Sequence, residues 1–193
     1  MPELVLALFG PTGVGKTDVA IALAERLRAR GEQPVAVSAD ALQVYRGLEI
    51  LTGVPSPEQQ ARLEHRLVSF LEPGARFSVA EYAALAHAQI DGLLAEGATP
   101  IVVGGTGLYL GAALAQLQLR PPPPPGLRER IEAEVLARGP EALHARLAEV
   151  APWAAAAIES RDRHRIVRAL ELHEQGALAP PDGPSRLWTS ETR

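Results

Sequence analysis

Gly10-Pro11-Thr12-Gly13-Val14-Gly15-Lys16-Thr17 is the stretch on which the fold turns. It matches G-x-x-x-x-G-K-[ST] in full, with the apolar run Leu4 to Phe9 before it and an amphipathic segment after it. That context makes the match informative: a loop between a strand and a helix, with glycines that let backbone N–H groups curl around a phosphate. The helix N-terminus adds partial positive charge, Lys16 adds a full one, and the Thr17 hydroxyl suits Mg²⁺. The whole loop, Gly10, Pro11, Thr12, Gly13, Val14, Gly15, Lys16 and Thr17, is therefore expected to hold a diphosphate or triphosphate.

Working outward, residues 4–9 are nearly all apolar, as expected of a strand buried on both faces of a parallel sheet. Residues 16–30 predict a helix with Val19, Leu23 and Leu27 on one face, closed by Gly31. A strand follows at 34–38, with Asp40 just past its end, and a short strand is expected at 66–71. Ser78 and Glu81 form a capping box that opens a helix running to Gly97. Ile101-Val102-Val103 predicts a further strand, ending at Gly104-Gly105. Alternating strands and helices point to right-handed βαβ units, hence an α/β fold with a parallel sheet flanked by helices.

The character changes at Pro121–Pro125, a run that cannot be helix interior or central strand and predicts a stiff extended connector. Helical patterns follow at about 127–138, 141–149, 153–159 and 161–175, with no strand signal. The organisation expected is an α/β core over 1–120, a small all-helical insertion subdomain over 121–176 and a truncated tail over 177–193 that leads back toward the core without a recognisable element.

Composition narrows the class. Of 193 residues, 47% are hydrophobic and 22% charged, an ordinary globular balance, while only 4% are aromatic, so the core rests on Ala, Leu, Val and Ile. There is no cysteine, which removes disulfides and thiolate metal sites and fits a reducing compartment. The N-terminal apolar run is too short for a signal peptide, and no stretch approaches the ~20 apolar residues of a membrane span. A cytoplasmic protein is expected. The formal net charge of −4 argues mildly against nucleic acid as a partner, unless a local basic patch supplies the contact.

The loop alone leaves the reaction open. NTP-hydrolysing members of this fold place an acid at the end of a neighbouring strand, whereas here Ile101–Val103 ends in Gly104-Gly105-Thr106. No Asn-Lys-x-Asp guanine-reading motif is present. A loop that holds a leaving pyrophosphate is favoured over one that hydrolyses a nucleotide.

Three further segments carry a resemblance. Ser38-Ala39-Asp40-Ala41-Leu42-Gln43-Val44-Tyr45-Arg46-Gly47 resembles S-x-D-S-x-Q-x-Y-x-G-x-x-I; Gly104-Gly105-Thr106-Gly107-Leu108-Tyr109 matches G-G-T-G-L-Y; and Arg165-Ile166-Val167-Arg168-Ala169-Leu170-Glu171 matches R-I-x-R-A-L-E. With the phosphate loop, the chain resembles the tRNA dimethylallyltransferases (tRNA isopentenyl-diphosphate transferases), over most of the chain from 10 to 171. The resemblance implies a P-loop NTPase-like core and transfer of a dimethylallyl group from dimethylallyl diphosphate to N6 of adenosine-37. It implies the diphosphate in the loop, Mg²⁺ at Thr17, and Asp40, Thr106 and Arg128 as catalytic residues. Asp40, Ala41, Leu42 and Gln43, with His164, Arg165, Ile166, Val167 and Arg168, correspond to the stretches that meet the tRNA. A monomer is expected.

Each assignment has a plainer reading beside it. Asp40 after a strand also serves as a helix cap or Mg²⁺ ligand, Thr106 as a turn residue, and Arg128 as a solvated helix arginine. Arg161, Arg165 and Arg168 recur at i, i+4, i+7 and form one stripe, with Ile166, Val167 and Leu170 on the buried side. Local counter-charges are Asp162, Glu171 and Glu174, so phosphate contact is favoured over a solvated face.

Two departures from the family pattern stand out. Glu64-His65-Arg66-Leu67-Val68-Ser69 occupies the place of P-H-H-L-[IV]-D, keeping one histidine and the leucine. Family members also continue well beyond Arg193 with a strand that returns to the core, so an exposed sheet edge or apolar flank is expected here. The alternatives are a P-loop nucleotide or small-molecule kinase, and a remnant that binds diphosphate or RNA without catalysis.

Overall fold

The computed structural model describes residues 4–117, 119–180 and 186–187. It divides into two compact units, one built from the described residues up to Leu117 together with Arg186–Leu187, the other from those between 119 and 180.

The first unit is a parallel sheet with helices on both faces. Its elements are β1 (Leu6–Phe9), α1 (Lys16–Arg28), β2 (Pro34–Ser38), α2 (Glu49–Thr52), α3 (Pro57–Arg62), β3 (His65–Arg66), α4 (Val79–Ala95), β4 (Thr99–Gly104), α5 (Gly107–Leu114) and β5 (Ala115–Gln116). The strand order is β1-β4-β2-β3, all pairs parallel, with Leu6 opposite Ile101 and Ala36 opposite Ile101 on the other side. Side chains alternate across the sheet as the two-residue period requires. Ala36 and Ile101 pack beneath α1 with Ala20, Ile21, Ala24, Leu27 and Leu63. Val35, Val37 and Val102 face the opposite side, against Tyr82, Ala86, Ile90 and Leu93 of α4 and Tyr109, Ala112 and Ala113 of α5. Each βα crossover therefore returns the chain to the same end of the sheet, and all loops after strands gather there.

Several expectations change. β1 is an edge strand, not one buried on both faces: Ala7 is exposed and Phe9 is 60% exposed. No strand among the described residues pairs with its outer side. The buried face of α1 is Ala20, Ala24 and Leu27 rather than the line through Val19, which is 53% exposed; small residues let the helix approach the sheet. The strand expected at 66–71 stops at Arg66, because Leu67 and Ser69 take positive φ of 60° and 49° and turn the chain away. The residues after it are used differently: Ser69, Phe70 and Leu71 donate backbone hydrogen bonds to carbonyls of Gln43 and Val44. Arg186–Leu187 forms a short strand, β6, antiparallel to β5, where no recognisable element was expected; residues 181–185 and 188–193 of that tail lie outside the described residues.

The second unit is helical: α6 (Leu127–Arg138), α7 (Pro140–Val150), α8 (Pro152–Ala156) and α9 (Arg163–Glu174). Its own core comprises Ile131, Val135, Leu143, Leu147, Ala154, Ile166, Val167 and Leu170. Gly139 joins α6 to α7 at φ 83°, ψ 157°, a conformation open essentially to glycine, and Pro140 starts the next helix. Residues 121–124 carry no helix or strand, as the proline run dictates. No helix among the described residues is long and apolar enough to cross a membrane.

Candidate functional site

The carboxyl end of β4 assembles the site. Because β4 lies between β1 and β2, its last carbonyls fix the loops that follow both neighbours. The Gly10 amide donates to Gly104 O at 3.4 Å, and the Ala39 amide donates to Val103 O at 2.7 Å. The paired glycines have a steric cause. A Cβ on Gly104 would stand 2.3 Å from Ala39 O, and one on Gly105 would stand 3.1 Å from Gly10 O and 3.4 Å from Lys16 Nζ. Glycine is the residue that lets the loops after β1 and β2 converge on one strand end.

A cleft of about 480 Å³ opens at this junction. One side is the phosphate loop: Thr12, Gly13, Gly15, Lys16 and Thr17. Gly13 and Gly15 take φ of 80° and 88°, and Gly15 is the N-cap of α1 with no side-chain cap, so first-turn N–H groups of the helix remain available. Lys16 Nζ donates to Pro11 O at 2.8 Å, folding back over its own loop. The floor carries Ser38, Asp40, His65, Val103 and Gly104, and the far wall is Gln43, Ile50, Leu51, Val54 and Pro55. The cleft is thus polar at the loop and apolar at α2, where Ile50 is wholly exposed and Leu51 83% exposed.

Asp40 is half-buried, and its Oδ1 accepts the Leu42 amide at 2.9 Å in an Asx turn. That bond fixes the carboxylate at the cleft. Leu42 is exposed and Ala41 half-buried beside it. Gln43 has an internal role: its Oε1 accepts from Ser38 Oγ at 2.9 Å and its Nε2 donates to Gly53 O at 2.8 Å. The amide therefore ties α2, the apolar wall, to the end of β2. Beneath, Tyr82 Oη donates to Ser38 O at 3.0 Å, and burial, with Tyr109 and Asp40 nearby, pushes its phenol well above the ordinary value. Burial pulls His65 below 6.5, partly offset by its 2.6 Å Nδ1 hydrogen bond to Leu63 O, so the ring is neutral at pH 7. Thr106 is the N-cap of α5 without a side-chain cap bond, two residues beyond Gly104 and outside the cleft lining.

The helical unit holds the remaining candidates. His164 and Arg165 are exposed on α9, and Arg165 pairs with Asp162 at 3.4 Å. Ile166 and Val167 are 0% and 5% exposed, so their side chains belong to the helical core rather than to the surface expected to meet the tRNA. Arg168 also departs from the stripe reading. Its Nη1 donates to Glu171 Oε2 at 3.0 Å and its Nη2 donates to the carbonyls of Arg120 and Pro121 at 3.2 and 2.8 Å. Arg161 has a counter-charge that local sequence did not reveal, Glu141 of α7 at 2.9 Å. Arg128 donates through Nε and Nη2 to Glu171 at 2.6 and 3.0 Å.

Sequence reasoning missed α2 with its apolar wall, the place of His65 in the cleft and the buried Glu171. Ile50 and Leu51 did stand in the sequence as adjacent apolar residues next to a segment of known spacing, which was the available signal.

Comparison with known proteins agrees with this geometry. The IPP transferase family model matches residues 43–182, and an isopentenyl transferase model matches 3–70. The tRNA dimethylallyltransferase of Streptomyces coelicolor is 48% identical over 170 residues, covering 88% of this chain and 53% of that protein. That of Thermus thermophilus is 46% identical over 185 residues, covering 95% and 59%. Among solved structures, the tRNA isopentenylpyrophosphate transferase of Bacillus halodurans aligns with a TM-score of 0.57 at 38% identity, covering 89% of this chain and 55% of that one. The chain spans a little over half the length of these relatives. With a phosphate loop, an acidic turn and a Gly-Gly strand end converging on one cleft of a P-loop NTPase-like sheet, the chain belongs to the IPP transferase family.

Proposed function

We propose that the protein is a transferase that moves the dimethylallyl group of dimethylallyl diphosphate onto N6 of adenosine-37 in tRNA, releasing diphosphate in the cytoplasm. The observation that carries this reading is the Asp40 carboxylate in the same cleft as the phosphate loop. In that reaction the N6–C1 bond forms as the C1–O bond to diphosphate breaks, and the amine sheds a proton. A carboxylate held at the cleft is suited to take it. The loop amides and Lys16 stabilise the charge that gathers on the leaving diphosphate. Ile50, Leu51, Val54 and Pro55 give a five-carbon chain an apolar wall to lie against.

Thr106 we assign to support of the substrate at the reacting centre, and Arg128 to a catalytic place beside the substrates. Asp40, Ala41, Leu42, His164 and Arg165 are the tRNA-facing set. A divalent cation fits the cleft: the Thr17 hydroxyl beside the phosphate loop offers a hard oxygen donor. No group of three or more His, Cys, Asp or Glu residues stands ready to chelate an ion among the described residues. Mg²⁺ would therefore be held jointly by Thr17 and diphosphate oxygens, neutralising the leaving group.

The test is transfer of labelled dimethylallyl group to an anticodon stem-loop carrying adenosine-37, wild type beside Asp40→Asn. Removing the base should cut the rate about 10²- to 10⁴-fold while diphosphate binding persists. Equal rates for the two proteins would remove Asp40 from the mechanism. Phosphoryl transfer from ATP in place of prenyl transfer would replace this reading with a kinase.

A further inference from the structure

Glu171 is the one charged residue among the described residues whose side chain is fully buried, and the catalytic assignment above makes no use of it. It lies on α9, facing α6. Oε1 accepts from Arg128 Nε at 2.6 Å, and Oε2 accepts from Arg128 Nη2 and Arg168 Nη1, both at 3.0 Å. A lone buried carboxylate would be costly, so two cations on one acid is an arrangement that must be satisfied as a unit. Burial alone would raise the Glu171 carboxyl; the hydrogen bonds and charges of Arg128 and Arg168 outweigh it and hold the group ionised below its ordinary value.

The two arginines differ in what they leave over. Arg168 has Glu171 on one nitrogen and two backbone carbonyls on the other, which ties α9 to the start of the proline run. Arg128 is bound by its Nε/Nη2 edge only. No acceptor among the described residues engages its Nη1, and its side chain is 44% exposed. One edge of the guanidinium is fixed and the other is open, the form in which an arginine meets a phosphate oxygen with little orientational freedom left to lose. Glu129 and Glu132 stand near Arg128 as well, so what the cluster offers a ligand is a fixed, open donor edge rather than an excess of charge.

We propose that Glu171 is a positioning residue: it fixes the Arg128 guanidinium so that its Nη1 edge receives a phosphate oxygen, while Arg168 keeps Glu171 ionised and anchored without touching the ligand. The phosphate is that of the prenyl diphosphate or of the RNA backbone, and the experiment separates the two. For its kinetic arm the inference rests on the transferase reading; for its binding arm it does not.

The binding arm follows the rate at which phenylglyoxal modifies Arg128, read by mass spectrometry, with inorganic diphosphate or an anticodon stem-loop as protecting ligand. In wild type one of the two should slow modification at least about 5-fold, which identifies the source of the phosphate. Glu171→Gln should lose that protection, with circular dichroism unchanged. In the kinetic arm, Glu171→Gln and Arg128→Ala should each lower kcat roughly 10- to 100-fold, the cost of a misaligned group. The double variant should be no slower than Arg128→Ala, because Glu171 acts through Arg128. Should Glu171→Gln fail to fold, Glu171→Asp keeps the charge but shortens the reach, and a partial loss of both protection and kcat is expected. Protection and kcat unchanged in a folded Glu171 variant, a multiplicative loss in the double variant, or no protection of wild-type Arg128 by either probe would each overturn the inference. Protection that depends on Glu171 in a protein without prenyl transfer would leave the inference standing and remove the transferase reading instead.

Discussion

The phosphate loop and the arginine-rich helix α9 are both cationic, but only one is built as an open site. In the loop, backbone geometry does the preparing: glycines at φ 80° and 88° turn N–H groups into a cleft, and the helix start carries no side-chain cap to occupy them. In the helical unit, cations are met by acids of the same unit. Arg130 and Arg146 each pair with both Glu134 and Glu174, a closed ring joining α6, α7 and α9, and Arg168 and Arg128 converge on Glu171. Counting arginines therefore overstates how much positive charge is free for a ligand. Exposed donors left over after internal pairing are the better guide, and by that measure Arg128, His164 and Arg165 outrank Arg168.

The sharpest way to break this comparison is at Gly104, where the loop side depends on the absence of a side chain. Gly104→Ala puts a Cβ against backbone at 2.3 Å, so the Ala39 carbonyl must move. Overpacking of this kind costs about 1–3 kcal/mol, and a clash with backbone belongs at the upper end of that range. Because Ala39 precedes Asp40 and Gly104 O holds Gly10, both the acid and the loop should shift. A chemical denaturation midpoint and diphosphate affinity measured on the same variant should fall together. Unchanged affinity in a destabilised protein would mean that the loop keeps its shape without the strand end.

A smaller effect is expected in the salt-bridge ring. Its members are partly exposed, with Arg146 at 32% and Glu174 at 23% side-chain exposure, so Arg146→Ala should destabilise the protein by about 1 kcal/mol. In a double-mutant cycle, Arg146→Ala and Glu174→Ala should be strongly non-additive, since they share partners. By contrast Arg161→Ala, which removes a pair whose two side chains are both exposed, should leave stability within measurement error. If the ring also measures as zero, the helical unit is held by its apolar core alone, and the pairing of its arginines serves orientation rather than stability.

How much of this was legible in the sequence follows the same divide. The loop, β2, α4 and β4 were readable because their signals are local: a fixed glycine spacing, a capping box at Ser78 and Glu81, and runs of β-branched residues. The positions of Asp40 past β2 and of Gly104 past β4 followed from the rule that ligands gather at the carboxyl ends of parallel strands. What sequence alone could not supply was long-range pairing. Glu171 is 43 residues from Arg128, and Glu141 is 20 from Arg161, so neither partner shows in a local window. α5 was missed because Gly107-Leu108-Tyr109 reads as loop until its buried Tyr109, Ala112 and Ala113 find the α4 face. β1 looked fully buried because apolar content does not distinguish a central strand from an edge.

Acid provides the mildest and most selective test. In the α/β unit, burial holds His65 and His87 below 6.5, countered in part by backbone hydrogen bonds and, for His87, by Asp91. A histidine kept neutral by folding gains protons more readily when unfolded. Its contribution is therefore complete above 6.5 and is lost as pH falls from there toward the folded value. In the helical unit, Glu171 has the opposite protonation chemistry but the same sense of change. Its lowered carboxyl stabilises fully above 4.5, and that contribution disappears only as pH drops below it. Glu49, Glu58 and Glu81 are held low by local hydrogen bonds in the α/β unit and join in that lower window. Hydrogen exchange, corrected for its intrinsic pH dependence, should thus show the α/β unit beginning to lose protection as pH falls below 6.5, while α6 and α9 hold theirs until below 4.5. Changing both histidines to glutamine should flatten the upper step and leave the lower one in place. Simultaneous loss in both units would mean that they unfold as one, and the separate wiring of their charges would then not translate into separate stability.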